Sequence, residues 1–137
     1  MWICPKCKRR FKNRNQDHSC GIYSIEQVFE NKPAEIYAVF RTIHDEVKSF
    51  GDMQIRAVKN GVMFSVKSTF LALKPHSKYL AVEFACGSMY DEFPVEKCVK
   101  ISKTEFAHIL KVEKIEEVDN QLIDWINEAY KFNCAKK

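Results

Sequence analysis

The chain has 137 residues, 46% hydrophobic and 29% charged, which suits one compact domain with a small appendage and excludes a disordered composition. Its net charge of +4 is divided unevenly: Lys6, Lys8, Arg9, Arg10, Lys12 and Arg14 stand against Asp17 in residues 1–20, a net +5 that leaves −1 for the remainder. No apolar run approaches the roughly 18 residues of a membrane span, and the early basic residues leave no space for a secretory signal, so a cytoplasmic location is expected.

The opening segment, MWICPKCKRRFKNRNQDHSCG, spaces three cysteines and a histidine as C-x2-C-x10-H-x-C. In a reducing compartment such cysteines are metal ligands or free thiols more often than disulfides. A CxxC pair can turn both thiolates toward one ion, and Pro5 fixes φ in that turn. Cys4, Cys7, His18 and Cys20 therefore form a candidate tetrahedral zinc site, structural because four protein ligands leave no open position for water. A redox CxxC would open a helix after a buried strand, and neither precedes Cys4. With only Trp2, Ile3 and Phe11 as large apolar residues, the segment would draw about 10 kcal/mol or more of its folding free energy from the metal. Residues 1–24 are thus expected to form a zinc knuckle and residues 25–137 an α+β domain.

The six cations of the knuckle (Lys6, Lys8, Arg9, Arg10, Lys12 and Arg14) suit phosphate contact with nucleic acid, or contact with an acidic protein surface. The plainer alternative is a solvated basic face, with Trp2 and Phe11 packed over the metal loop.

Beyond Gly21, Ser24 and Gln27 have the spacing of a capping box and predict a short helical turn through Phe29. Pro33 suits a first helical position, and Ile36, Val39, Phe40, Ile43, Val47 and Phe50 recur at helical spacing until Gly51. Over residues 53–85 the period changes to two. Asn60-Gly61 between alternating runs predicts a hairpin, and two further strands flank Pro75-His76-Ser77. Leu80, Val82 and Phe84 should face one side, and Tyr79, Ala81 and Glu83 the other. ACGSMYDEFP reads as an irregular loop, EKCVKIS and EFAHILKV as two more strands. A closing amphipathic helix follows, with Val118, Leu122, Trp125, Ile126, Ala129 and Tyr130 as its apolar residues and Glu116, Glu117 and Asp119 near its start. The expected class is α+β: an antiparallel sheet of five or six strands flanked by an N-terminal and a C-terminal helix.

No phosphate-cradling glycine loop and no G-x-S-x-G is present, so binding is expected ahead of catalysis. An alternative is a small-ligand-binding or enzymatic body, with Arg56, Lys67, Lys74 and His108 around a pocket on the sheet. Against it, His108 alternates with Phe106 and Leu110 as a core histidine would, and exposed lysines on a sheet need no function. A third alternative is a protein–protein adaptor, which an exposed apolar patch would favour.

The stretch FENKPAEIYAVFRTIHDEVKSFG, the strands of TFLALKPHSKYLAVEF and the closing FAHILKVEKIEEVDNQLIDWINEAY resemble domain-of-unknown-function family 5655 over residues 25–132. Its helix start, strand entry and closing helix correspond to Asn31-Lys32-Pro33, Pro75 to Leu80, and Val118-Asp119 to Ala129-Tyr130, with Asn31 where glycine is usual. Some members carry an N-terminal stretch similar to Cys4, Cys7, Phe11, Asn13, Asn15, Gln16, His18 and Cys20, with glycine commonly at the place of Lys8. The resemblance implies the order of elements and the metal ligands. It implies no activity.

Overall fold

A computed structural model of the chain describes residues 2–3, 10–12 and 23–136. At the N-terminus β1 (Trp2–Ile3) pairs antiparallel with β2 (Arg10–Phe11), Trp2 opposite Phe11 and Ile3 opposite Arg10. Then come α1 (Ile25–Val28) and α2 (Ala34–Lys48). Six strands follow: β3 (Gln54–Val58), β4 (Gly61–Ser65), β5 (Thr69–Pro75), β6 (Leu80–Cys86), β7 (Val95–Lys100) and β8 (Phe106–Val112). The last helix is α3 (Asn120–Cys134). The six strands form one antiparallel sheet in the order β3-β4-β5-β6-β8-β7, and the class is α+β as the sequence pattern predicts.

Local chemistry sets the element boundaries. The Ser24 hydroxyl accepts from the Gln27 N–H at 3.1 Å while the Gln27 side chain accepts from the Ser24 N–H at 2.8 Å, which is the expected capping box. One turn later Asn31 takes φ +65°, a left-handed conformation that asparagine tolerates better than most residues. Pro33 sits just before α2 rather than inside it, its φ of −58° already suited to the helix that follows. Past α2, Gly51 has φ +150°, and a Cβ there would meet the Tyr130 hydroxyl at 2.5 Å.

Alternation along the strands gives the sheet two unlike faces. Leu80, Val82 and Phe84 of β6 are buried toward the helices, beside Leu73 and Leu71 of β5 and Val112, Leu110 and His108 of β8. Ala81, Glu83 and Ala85 point the other way, where Lys74 and Glu83 pair at 2.8 Å. Helix α2 buries Ile36, Val39, Phe40, Ile43 and Val47, and α3 buries Leu122, Trp125, Ile126 and Ala129, all in one core with the inner sheet face. Each fully buried large aliphatic or aromatic chain contributes about 1.5–3 kcal/mol. Against a net stability of about 5–15 kcal/mol, the fold depends on both helices closing over the sheet.

Helix α3 begins later than its acidic residues suggest. Glu117 turns back in a 3-10 turn (Ile115–Glu117), its carboxylate accepting from the N–H groups of Glu113 and Lys114 at 2.6 and 2.9 Å. Asp119 caps the helix proper by accepting from the Leu122 N–H at 2.9 Å. At the other end Asn133 is fully buried. Its amide nitrogen donates to the carbonyls of Ala85 (3.0 Å) and Ala129 (2.8 Å), and its oxygen accepts from the Ser68 hydroxyl at 2.5 Å. One side chain thereby ties α3 to the end of β6 and to the β4–β5 turn.

The strand order requires a crossover. β7 precedes β8 in the chain yet lies outside it, so β6 and β7 run parallel with β8 between them. Cys86, at the end of β6, is level with Phe106 and Lys100, whereas Val95 at the start of β7 is level with Leu110. Residues 87–94 must therefore carry the chain back about 13 Å along β8, at roughly 3.3 Å per residue. Tyr90 turns in from this segment between His108 of the sheet and Trp125 of α3, while Met89 and Phe93 are exposed.

Candidate functional site

Three regions hold groups with chemical potential: the N-terminal hairpin, the crossover and the corner beneath α1. In the hairpin, Arg10 and Lys12 are exposed. The predicted ligands Cys4, Cys7, His18 and Cys20, and the cations Lys6, Lys8, Arg9 and Arg14, lie outside the described residues. Cys4 and Cys7 fall in the six residues that join β1 to β2.

The crossover gathers Cys86, Tyr90, His108, Trp125 and Glu128. Alternation on β8 puts His108 on the inner face, where it is fully buried and stacked on Phe84 with centroids 4.6 Å apart. Its Nε2 accepts from the Tyr90 N–H at 3.0 Å, which leaves the proton on Nδ1, facing the Phe84 carbonyl at 3.4 Å. Burial is the largest influence on this ring and holds its pKa below the ordinary histidine value, only partly opposed by the Phe84 carbonyl and the Glu128 charge. The histidine is neutral, with both nitrogens committed to backbone groups.

Tyr90 stacks on Trp125 at 4.9 Å, and its hydroxyl donates to Glu128 at 2.5 Å. That bond, with burial, raises the tyrosine pKa. At Glu128 burial acts to raise the pKa, but hydrogen bonds from Tyr90, Ser88 and Cys86 outweigh it and hold the carboxyl below its ordinary value. Burial pushes the Cys86 thiol up to about 12, so it is protonated at neutral pH and a poor nucleophile. The cluster thus joins a thiol, a neutral imidazole and a satisfied carboxylate. Its chemistry is that of a clamp holding the crossover against α3, not of a nucleophile with its base.

The pocket expected around Arg56, Lys67, Lys74 and His108 is not assembled by the fold. Arg56 is exposed on edge strand β3 opposite Met63, Lys67 is exposed in the β4–β5 turn, and His108 is buried on the other face of the sheet. Lys74 lines two hollows among the described residues. One, of about 250 Å³ on the outer face, includes Met63, Ala72, Glu83 and Ala107, and its two charges, Lys74 and Glu83, are paired with each other. The other, of about 410 Å³, lies where the α1–α2 turn, the β3–β4 turn and the end of β5 meet. Lys32 and Lys59 belong to it and were missed by sequence reasoning, because both sit in turns without a periodic pattern.

Among the described residues no helix is long and apolar enough to cross a membrane, and no group of three or more His, Cys, Asp or Glu side chains is placed to hold a metal ion. Comparison with curated proteins and with solved structures found no match. A family model, Domain of unknown function (DUF5655), matches residues 25–133, the whole of the helix–sheet–helix unit from α1 almost to the end of α3. By that match across most of its length, the chain belongs to the DUF5655 family.

Proposed function

We propose that this chain is a binding module that touches the phosphate backbone of nucleic acid through a basic N-terminal zinc knuckle. The observation that carries the reading is the partition of charge, +5 in residues 1–20 against −1 in the rest. A net charge concentrated in one short segment makes a local positive field rather than a general solubility effect. The exposure of Arg10 and Lys12 and the β1–β2 pairing, which brackets Cys4 and Cys7, are consistent with it.

Cys4, Cys7, His18 and Cys20 would hold the zinc; three thiolates and one imidazole are a donor set that suits it. The metal supplies folding free energy to a segment without a core of its own. Lys6, Lys8, Arg9, Arg10, Lys12 and Arg14 would then contact phosphates, a mode that positions a strand without reading its sequence.

The test is fluorescence anisotropy of labelled single-stranded and duplex DNA and RNA with the zinc-loaded full chain across a salt series. For duplex DNA, replacing Arg10 and Lys12 by glutamine should lower the slope of log affinity against log salt by up to about 1.8, at about 0.9 per lost phosphate contact. No binding at low salt, by protein shown to carry one zinc per chain, would remove nucleic acid and turn the search to acidic proteins.

A further inference from the structure

We propose that the corner cleft beneath α1 is a binding site for a phosphate monoester, separate from the knuckle and independent of the reading above. The cleft, about 410 Å³, is lined by Lys32, Lys59, Asn60, Lys74 and His76 over a floor of Val28 and Pro75. Three regions far apart in the chain thus bring three lysines, a histidine and an asparagine to one place. Among the described residues no carboxylate lines it.

That composition runs against the composition of the body. Residues 21–137 carry more acidic than basic side chains, yet among the described residues the charged side chains lining this cleft are all lysines. Lys74 is partly spent, since its ammonium pairs with Glu83 at 2.8 Å on the outer sheet face. Lys32 and Lys59 form no ion pair among the described residues, which leaves two uncompensated charges to meet a dianion.

The positions of these groups are held by the fold. Gly61, just after Lys59-Asn60, lets the hairpin close onto β5: a Cβ there would meet the Leu73 carbonyl at 2.7 Å and Lys74 Cγ at 2.8 Å. On the opposite wall, the His76 ring is stacked on Tyr79 with centroids 4.5 Å apart, and the His76 N–H donates to the Tyr79 carbonyl at 2.8 Å. Lys32 follows the left-handed Asn31, and its N–H donates to the Phe29 carbonyl at 3.1 Å. A phosphoryl group would sit between the two free lysines, with Asn60 and His76 as further hydrogen-bond donors. The apolar floor would take a small organic body attached through the ester oxygen. The volume lies within the range of about 300–1,000 Å³ usual for small-ligand pockets.

The experiment is a nitrogen-15 amide-shift titration of the zinc-loaded full chain with ribose 5-phosphate, with inorganic phosphate, and with a single-stranded oligonucleotide. Sodium chloride at matched ionic strength is the reference. Ribose 5-phosphate should move the amides of Lys32, Lys59, Asn60, Gly61 and His76 as one saturable set. The double variant K32Q/K59Q should weaken that binding at least tenfold, with its other amide positions unchanged, while K103Q/K131Q should leave it as it was. Shifts spread evenly over lysines on all faces would overturn the proposal. So would a response of these amides to the oligonucleotide but not to ribose 5-phosphate, or to inorganic phosphate alone. Because the readout is confined to the cleft, its failure says nothing against nucleic-acid contact at the knuckle.

Discussion

Replacing Asn133 by alanine is the sharpest probe of how α3 is fastened to the sheet. The side chain is fully buried and makes three hydrogen bonds, to Ala85, Ala129 and Ser68. Their losses are unequal. The Ala129 carbonyl lies inside α3 and keeps its ordinary helical bond, so little is lost there. The Ser68 hydroxyl retains Lys136, whose ammonium donates to it at 3.0 Å. The Ala85 carbonyl and the small void left by the amide carry the main penalty. At about 1 kcal/mol for each net bond lost and about 1–3 kcal/mol for a buried group left unsatisfied, Asn133→Ala should cost about 2–4 kcal/mol. With a urea dependence of about 1–3 kcal/mol per molar, the unfolding midpoint should fall by about 1–2 M at unchanged slope. Trp125 fluorescence, from the core beneath, follows the transition. Ser68→Ala should cost less, about 1 kcal/mol, and the double variant should show coupling of at least about 0.5 kcal/mol. A midpoint loss below about 0.3 M for Asn133→Ala would mean that water enters this end of α3, and the reasoning would fail.

Other perturbations test other parts of the molecule. Because burial depresses the His108 pKa, the folded chain prefers the neutral ring; that stability is fully present above the unfolded value of about 6.5 and is lost as pH falls toward the folded one. Urea midpoints of the wild type should therefore decline between pH 7 and 5.5, and His108→Gln, though less stable overall, should lose that slope; an equal slope in both proteins would mean the ring titrates freely. Asn31→Ala places a Cβ residue of poor left-handed tolerance at φ +65° and should cost about 1 kcal/mol, whereas Asn31→Gly should not, as thermal melts would resolve. Chelation of zinc should abolish salt-sensitive anisotropy while leaving the melt of the helix–sheet core within a degree or two, because that core is built by residues 28–129; a collapse of the melt on chelation would tie the metal to the body.

Much of the architecture is legible in the residues because burial on one face imposes a period. The spacing of Ile36, Val39, Phe40, Ile43 and Val47 predicts α2, and Leu80, Val82 and Phe84 predict which side of β6 is inside. Turn chemistry locates the first hairpin but misplaces it by one residue. Lys59-Asn60 is the loop, and Gly61 is already in β4, where β5 approaches too closely for a side chain. The acidic run before α3 resembles a helix start, yet Glu117 spends its carboxylate on a preceding turn and the cap falls to Asp119. The strand order is invisible to local pattern, since nothing in β7 announces that β8 will separate it from β6. The crossover reads as an irregular surface loop, although its Tyr90 lies between His108 and Trp125. Asn133 looks like one more polar residue at a helix end, because its partner Ser68 is 65 positions away. Lys74 is flagged by its strand, but Lys32 and Lys59 come together with it only in three dimensions.

The position of α3 as the last described element has a consequence for biosynthesis. Leu122, Trp125, Ile126 and Ala129 complete the layer over β5 and β6, and β6 has no second partner strand until β8 has been made. A nascent chain ending at β7 would present the apolar face of β6 to water, with its unpaired edge open to other chains. The earlier elements cannot settle into their final packing before α3 is available, so this domain should mature as one unit only once residue 134 has cleared the exit tunnel. A stalled or truncated product lacking α3 should be found bound to chaperones or degraded rather than accumulating as a smaller folded form.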